Sequence, residues 1–359
     1  MAWRRRAPLR PSLLSLAFHG SEIEPPDSLM LVGASDSFPR LVGDIGGTNA
    51  RFAMQFGPSD RLSEPRTLAS ADHRNLREAV EHYLRETDAP RPRWAAFGIA
   101  NPVIGGHVTM TNHHWSFSVN DLKQDLGLAR LLVLNDFAAL ALAIPHLAAS
   151  DIAKIGGGAP RVGTPIGLIG PGTGLGVSGL VPCDRDYAPL HGEGGHVTIA
   201  AFDEREAMII AQLRLRYSHV SAERVLSGPG LVDLYDVCSN RAGTSAEPLT
   251  AVEICARAVT GNCSLCVEVL ETFCAMLGTV AANLALVLGA LGGIYVGGGI
   301  VPKLGVFFAR SPFRSRFELK GRFSSYLAQI PTYVIHAQYP GLLGAAFALD
   351  RSDAGPGLD

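Results

Sequence analysis

The chain has 359 residues, of which 47% are hydrophobic and 18% charged, and its formal net charge is −2 at pH 7. This length is enough to bury two hydrophobic cores, so we expect two lobes. A near-neutral charge without a long basic stripe argues against a nucleic acid partner. The apolar stretch at residues 280–291 is too short to cross a bilayer, so it predicts a buried helix and no membrane partner.

The first 39 residues do not fit the rest of the chain. Arginines at residues 4–6 precede an apolar stretch at residues 13–18, an order typical of an export or transit signal, although the apolar part is shorter than usual. Residues 21–38 show no helical or strand period. We interpret residues 1–39 as a disordered tail or as an over-long start, with Met30 as the first residue. A targeting signal is the alternative.

Residues 43–51, with the sequence GDIGGTNAR, predict a hairpin that holds phosphate between two apolar strands. Glycines let backbone N–H groups approach a ligand without an intervening Cβ. Because Asp44 would repel phosphate, the arrangement implies a Mg²⁺ ion that arrives with a nucleotide and meets Asp44 through water. The candidate contacts of the turn itself are Gly46, Gly47, Thr48 and Asn49. An ordinary Gly-Gly hairpin is the alternative.

The next elements predict an open α/β sheet. We expect hairpin strands at residues 41–44 and 51–55, an amphipathic helix at 75–85, a strand at 94–99 and a buried strand at 131–134. The last of these strands ends at Asn135 and Asp136. Because open α/β sheets place their chemistry at the carboxyl ends of their strands, Asp136 becomes the leading catalytic candidate.

Two further glycine turns follow strand-like runs in the second half. A loop at residues 170–176, GPGTGLG, leads into another strand-like run, and a glycine triplet follows the run at residues 293–296. A nicotinamide dinucleotide would need a helix N-terminus after the first loop, so that class of enzyme is excluded. We expect two hairpins to grip one nucleotide while the third turn borders its adenine. The candidate contacts are Gly172, Thr173, Gly174, Gly297, Gly298 and Gly299.

The second half repeats the scheme of strands followed by helices. Helices are expected near residues 204–217 and 230–238, then the long apolar helix, a strand that ends at Val296 and a C-terminal helix from about Gly341. No internal sequence repeat is visible.

Four side chains have the chemistry of a sugar site. A pocket that selects a sugar needs paired donors and acceptors, and charged acceptors give stronger hydrogen bonds. Asn135, Glu193, His196 and Glu223 are of these types, and Glu193 and His196 share the glycine-rich segment GEGGH at residues 192–196. The alternatives are a helix-capping or surface acid for Glu193, a packed histidine for His196 and a solvated helix residue for Glu223.

Six scattered cysteines favour reduced thiols in the cytoplasm. Cys263 and Cys266 have the spacing of a redox or zinc motif. No second pair or nearby histidine completes a tetrahedral site in the sequence, so we interpret both cysteines as structural.

Taken together, these residues resemble the bacterial glucokinases of the hexokinase and actin-like ATPase superfamily. The resemblance runs from about residue 41 to residue 349. Five more stretches carry it besides the glycine turns: residues 110–113 (MTNH), 135–137 (NDF), 192–196 (GEGGH), 221–230 (SAERVLSGPG) and 340–344 (PGLLG). The related ROK sugar kinases have a cysteine-rich zinc motif beside their active-site histidine, and the residues around His196 lack one.

The resemblance implies an α/β fold of two ribonuclease-H-like lobes with a cleft between them. The small lobe would comprise residues 40–146 and 337–359, and the large lobe residues 147–336. The C-terminal helix would pack back on the first lobe.

The resemblance also implies the roles of the site residues. Asp136 would be the base that takes the proton of the 6-hydroxyl, Asp44 would orient the water shell of Mg²⁺, and the glycine turns would hold ATP. The sugar contacts would be Asn135, Asp136, Glu193, His196 and Glu223, with Asn112 as a weaker candidate.

The implied function is ATP-dependent phosphorylation of D-glucose to glucose 6-phosphate, with ATP and Mg²⁺ as cofactors. Glucose and ATP would be its partners. A kinase of the same fold for mannose, fructose or an amino sugar is the first alternative, and a non-catalytic sugar sensor is the second. The oligomeric state is left open, a homodimer included.

Overall fold

A computed structural model describes residues 37–351 except 59, 102–104, 111–112, 185 and 244–246. The predicted N-terminal tail therefore lies almost entirely outside the described residues, as does Asn112. The strands are β1 (Arg40–Ile45), β2 (Asn49–Gln55), β3 (Ser63–Ala69), β4 (Trp94–Ile99), β5 (His107–Thr109), β6 (Ser116–Ser118), β7 (Arg130–Asn135), β8 (Ile152–Gly156), β9 (Ile166–Pro171), β10 (Leu175–Cys183), β11 (Asp186–Pro189), β12 (Ile294–Val296) and β13 (Thr332–Ile335).

The two large sheets share one strand order over five strands, and the second sheet has β8 as a sixth strand, antiparallel to β13. The first sheet has the order β3-β2-β1-β4-β7, in which β2 is antiparallel and β4 parallel to β1, and β7 is parallel to β4. The second has the order β11-β10-β9-β12-β13-β8, in which β10 is antiparallel and β12 parallel to β9, and β13 is parallel to β12. The predicted pair of ribonuclease-H-like lobes is therefore confirmed, although no sequence repeat announces it.

Helices cover both sheets. They are α1 (Leu76–Glu86), α2 (Val119–Asp125), α3 (Asp136–Ala143), α4 (Glu204–Leu213), α5 (Ala222–Val225), α6 (Gly228–Arg241), α7 (Ala251–Val259), α8 (Ser264–Leu288), α9 (Val306–Arg310), α10 (Phe313–Glu318), α11 (Ser324–Gln329) and α12 (Pro340–Asp350).

Helix α1 illustrates how local sequence sets an element. The Asn75 side chain accepts a hydrogen bond from the Glu78 N–H and caps the helix, as asparagine commonly does. Leu76, Val80 and Leu84 share its buried face, as their spacing predicts.

Helix α3 lies between the two sheets. Residues 138–143 are all buried, and the helix packs on β4, β10, β11 and α12. It crosses α12 closely, because a Cβ added to Gly344 would lie 1.7 Å from the Ala139 carbonyl oxygen. Helix α12 in turn packs on β1 and β4. The C-terminal helix therefore returns to the first sheet, as predicted.

Two predicted helices have different bounds in the structure. Helix α4 ends at Leu213 and not near residue 217, because the N–H groups of Leu215 and Arg216 bond only three residues back and form a turn. Beyond this turn Tyr217 donates a hydrogen bond to Asp233 Oδ2 at 2.7 Å and packs beneath the Arg224 guanidinium. The long apolar helix is α8, which starts well before residue 280. It ends at Leu288 and is capped by Gly289, whose φ of 61° is left-handed and favours glycine.

Helix α8 also explains the predicted structural cysteines. The Cys263 Sγ accepts a hydrogen bond from the Cys266 N–H and caps the helix, while Cys266 is fully buried. By length and composition α8 could span a membrane, yet 72% of its most apolar window is buried inside the protein. It is therefore placed as a core helix, as predicted.

Candidate active site

Asp136 lies where β7 gives way to α3. The Asn135 side chain accepts hydrogen bonds from the N–H groups of Phe137 and Ala138, at 2.9 and 3.1 Å, so it caps the helix. Asp136 Oδ1 accepts from the same Phe137 N–H at 2.9 Å. On the neighbouring strand Gly98 leaves room, since a Cβ there would lie 3.4 Å from the Asp136 Cα. The predicted base is thus fixed at the carboxyl end of a parallel strand.

The surroundings of Asp136 make it a stronger base than an ordinary aspartate. Burial, together with the negative charges of Asp44 and Glu193, raises its pKa to about 6. The N–H of Phe137 opposes this rise by stabilising the carboxylate. The structure therefore brings together three acids that are far apart in sequence.

Asp44 lies on β1, directly opposite Arg51 on β2. Its Oδ2 accepts a hydrogen bond from the Arg51 guanidinium at 2.9 Å. Burial raises the pKa of Asp44, and the guanidinium opposes this rise. Asp44 also borders Gly341 at the start of α12, where an added Cβ would lie 3.3 Å from the carboxyl carbon.

The first glycine turn closes the antiparallel pair β1 and β2, as the sequence predicts. Gly46 donates its N–H to the Asn49 carbonyl at 2.9 Å, so this N–H forms a hydrogen bond inside the turn. Ser70 stabilises the loop with two hydrogen bonds. Its hydroxyl donates to the Gly46 carbonyl at 3.0 Å and its N–H donates to the Thr48 carbonyl at 2.9 Å. The sequence reasoning missed this fully buried serine, which carries no local signal.

The second turn joins β9 and β10, which are antiparallel, so the expected hairpin is present. Gly172 donates its N–H to the Gly174 carbonyl at 2.8 Å, and Thr173 is exposed at the tip. The cross-strand pair Gly170 and Gly176 lies against the Phe137 ring, since a Cβ added to either would come within 2.7 or 1.9 Å of it. Phe137, which belongs to the NDF stretch but was given no role of its own from the sequence, thus joins the Asp136 helix to this hairpin.

The third glycine turn packs on the second. Gly297 donates its N–H to the Ile169 carbonyl at 2.9 Å. Gly298 has a left-handed φ of 80°, and a Cβ there would lie 2.3 Å from the Pro171 carbonyl oxygen. Gly299 has open space around its Cβ position. The structure therefore brings two of the three predicted nucleotide turns into direct contact.

The remaining sugar candidates form one cluster. His196 lies between two acids, with its Nε2 4.0 Å from Glu193 Oε2 and its Nδ1 4.0 Å from Glu223 Oε1. The side chains of Glu193 and His196 are 55% and 59% exposed, so both are open to a ligand and His196 is not a packed core residue. Glu223 also accepts a hydrogen bond from the Leu175 N–H at 2.9 Å. Asn112 lies outside the described residues.

The comparisons with known proteins agree with the family resemblance seen in the sequence. The family model described as "Glucokinase" matches residues 41–352. The glucokinase of Aromatoleum aromaticum is 61% identical over 91% of this chain and 99% of its own length.

Solved structures give the same picture. A glucokinase from an Antarctic psychrotroph aligns with a TM-score of 0.78 at 39% identity, over 88% of this chain and 99% of that one. A ROK family glucokinase from Streptomyces griseus, solved with glucose and AMPPNP, shares the fold with a TM-score of 0.58 at 18% identity, over 86% of this chain and 98% of that one. This chain belongs to the glucokinase family.

Proposed function

We propose that this protein phosphorylates D-glucose at the 6-hydroxyl with ATP, giving glucose 6-phosphate and ADP. The observation that carries the proposal is Asp136, a carboxylate with a pKa of about 6 that lies beside Asp44 and Glu193. The family membership and the glucose and AMPPNP bound to the Streptomyces griseus relative support the same pair of substrates.

Asp136 is the proposed base. The 6-hydroxyl gives its proton to the carboxylate while its oxygen attacks the γ-phosphorus in line. The bond between that phosphorus and the β,γ-bridging oxygen breaks, and ADP leaves with the electron pair. A base with a pKa of about 6 is ionised at neutral pH and still accepts a proton more readily than an unperturbed aspartate.

The sugar would be held by side chains that come from both lobes. We propose that Asn135, Glu193, His196 and Glu223 bind its hydroxyls, with Asn112 as a further candidate. Because the Asn135 oxygen already caps α3, its amide NH₂ group is the part that would donate to the sugar. The carboxylates of Glu193 and Glu223 would accept.

The nucleotide would lie between the glycine turns. We propose that the turn at residues 46–49 holds the β- and γ-phosphates, that residues 172–174 contact them from the second sheet and that residues 297–299 border the adenosine. The direct contact between the second and third turns supports this placement.

The residues present fit a Mg²⁺ ion that arrives with ATP. Among the described residues, no group of three or more His, Cys, Asp or Glu side chains could hold a metal by itself. Asp44 and Asp136 nevertheless place two negative charges in one buried region, which favours a cation there. Asp44 would hold the ion through water, and the bound ion would neutralise charge on the phosphates.

We further propose that the protein is a cytoplasmic enzyme of glycolysis. Its small lobe would comprise residues 40–146 and 337–359, and its large lobe residues 147–336. The oligomeric state, a homodimer included, is open to measurement. The six cysteines are all free, which supports a reducing compartment.

A coupled assay of ADP release tests the function directly. It should be run on glucose, mannose, fructose and glucosamine, with and without Mg²⁺, beside an Asp136→Asn control. We expect Mg²⁺-dependent ADP release with glucose as the best substrate. A higher kcat/KM for another hexose would establish the first alternative, and glucose binding without turnover would establish a sensor.

A further inference from the structure

The predicted nucleotide hairpin at residues 170–176 contacts the two segments that carry sugar candidates, residues 192–196 and 221–230, at three backbone positions. The Leu175 N–H donates to Glu223 Oε2 at 2.9 Å. The Gly172 carbonyl accepts from the Gly228 N–H at 2.8 Å, five residues beyond Glu223. Gly195 of the GEGGH segment lies so close that a Cβ there would be 2.1 Å from the Leu175 carbonyl oxygen. The two predicted binding sites therefore share a wall.

The Glu223 side chain lies between the two predicted sites. Its Oε2 holds the hairpin, while its Oε1 is 4.0 Å from His196 Nδ1 on the sugar side. A carboxylate has about four lone-pair positions, so it can hold the Leu175 N–H and accept from a sugar hydroxyl at once. A hydroxyl bound to Oε1 would fix the orientation of the carboxylate, and with it the oxygen that holds the hairpin.

We propose that Glu223 is a positioning residue for the nucleotide-binding hairpin as well as a sugar ligand, and that it couples the binding of glucose and ATP. Glucose bound at Oε1 holds the hairpin in the conformation that receives the phosphates. By thermodynamic linkage, nucleotide on the hairpin strengthens glucose binding by the same factor. This inference rests on the proposed function and adds a role that sugar recognition alone does not require.

Two glycines of the hairpin offer a matched pair of variants. A Cβ added to Gly174 would lie 2.4 Å from Glu223 Oε2, so Gly174→Ala must move the carboxylate. The move is easy, because the oxygen is the far end of a flexible side chain, and the fold should survive. A Cβ added to Gly172 would have its nearest neighbour, the Gly299 nitrogen, at 3.8 Å, which is ordinary contact. Both residues lie in the same loop and have φ angles that alanine accepts.

The first experiment titrates glucose into nucleotide-free protein by calorimetry. We expect Gly174→Ala to weaken glucose binding about tenfold, because it displaces a charged hydrogen-bond acceptor. Gly172→Ala should bind glucose as the parent does. A hairpin without influence on the sugar site would give three equal dissociation constants, and this result would overturn the proposal.

The second experiment measures the coupling itself. The glucose titration is repeated at saturating AMPPNP and Mg²⁺, and the ratio of the two glucose dissociation constants gives the coupling factor. We expect the analogue to tighten glucose binding to the parent and to Glu271→Gln, a surface control on α8, and the ratio to fall towards one in Gly174→Ala. An unchanged ratio in Gly174→Ala contradicts the proposal.

A second substitution covers the case in which Gly174→Ala does not fold. Glu223→Asp keeps the charge but shortens the side chain by one methylene, so it cannot reach the Leu175 N–H and the sugar together. It should lose the coupling factor, and a parental factor would overturn the proposal. A parent protein that neither binds nor phosphorylates glucose would instead contradict the proposed function, so the two failures are distinguishable.

Discussion

Asp136 is held in a position that costs stability and supplies basicity. Replacing it with asparagine keeps the size and the hydrogen bond from the Phe137 N–H, but removes the proton acceptor. We expect kcat to fall by about 10²–10⁴-fold while glucose still binds. In the parent, kcat/KM should decline as the pH falls through about 6, where the free carboxylate takes up a proton. Calorimetry with glucose and a pH–rate profile test both statements, and turnover within a few-fold of the parent would rule out this base.

The same carboxylate should make stability depend on pH. Its pKa is raised from 3.8 to about 6 in the folded protein, so the folded state binds the proton more tightly than the unfolded chain. This group therefore destabilises the fold progressively as the pH rises from about 4 to about 6, and its full cost is present above that. Asp136→Asn should gain about 1–3 kcal/mol at pH 8 and little at pH 4. Chemical denaturation of nucleotide-free protein measures this.

The matched control for this prediction is Glu271→Gln, which neutralises an exposed carboxylate on α8. Its change in stability should not grow between pH 4 and pH 8 as that of Asp136→Asn does. Equal pH profiles for the two variants would show that burial of Asp136 is not the cause.

Glu193 is the residue with which sugar recognition can be separated from chemistry. Glu193→Gln preserves shape but replaces a charged acceptor by a neutral one. We expect a loss of roughly 1.5–3 kcal/mol in sugar binding, seen as a higher KM for glucose with little change in the KM for ATP. A rise in the KM for ATP alone would show that this acid is misassigned.

Single residues could be predicted where their chemistry is local. Asp136 follows a strand and precedes a helix, and Asn75 precedes an amphipathic run, so the sequence itself carries the signal. Ser70 and Phe137 could not be predicted in this way. Their contacts reach residues 22 or more positions away, which only the folded chain brings near.

At the scale of elements, Phe137 sets the distance between α3 and the β9–β10 hairpin. We expect Phe137→Leu to keep the apolar contact but to let the hairpin shift relative to Asp136. Since a misplacement of about 1 Å can cost 10²-fold in rate, kcat should fall by up to about that factor with glucose affinity retained. Phe323→Leu, at an exposed phenylalanine, is the control and should leave kcat unchanged. Equal kcat values for both variants would refute the role of Phe137.

Two helix crossings depend on glycine. A Cβ on Gly344 would lie 1.7 Å from the Ala139 carbonyl oxygen, and a Cβ on Gly278 would lie 2.3 Å from that of Phe313. Backbone atoms cannot move aside cheaply, so either alanine variant should lose about 1–3 kcal/mol of folding stability. Gly228→Ala is the helical control, because its nearest neighbour is at 3.5 Å. Thermal unfolding compares the three, and an unchanged melting temperature for Gly344→Ala would refute the crossing.

Helices and strands with a clear hydrophobic pattern could be predicted, whereas those that form only because they pair with another strand could not. The strand at residues 94–99 has its predicted bounds, because six apolar or small residues end in a turn. Strand β3 escaped prediction, since its sequence SEPRTLA has only Leu68 buried and exists because it pairs with β2. The relation between the two sheets came from the family resemblance and not from any pattern in the chain.

At the scale of the whole molecule, the acids of the site come from different parts of the fold. Asp44 lies on the first sheet, Asp136 heads the helix between the sheets, and Glu193 precedes a short helical turn on β10 of the second sheet. The chain passes between the sheets at residues 136–151 and again at 336–339. A change in the angle between the lobes would therefore alter the spacing of these acids.

This arrangement predicts closure on the sugar. Glu193 and His196 are more than half exposed, so the sugar side of the site is open to water, which would hydrolyse ATP if it stayed there during transfer. We expect saturating glucose to bring the lobes together and to reduce the radius of gyration in small-angle X-ray scattering. Sorbitol at the same concentration controls for solvent contrast and should not compact the protein. Glu193→Gln should need more glucose for the same change, because its sugar contact is weaker. Superimposable profiles for the parent with and without saturating glucose, in a sample that phosphorylates glucose, would show that the two lobes work at a fixed angle.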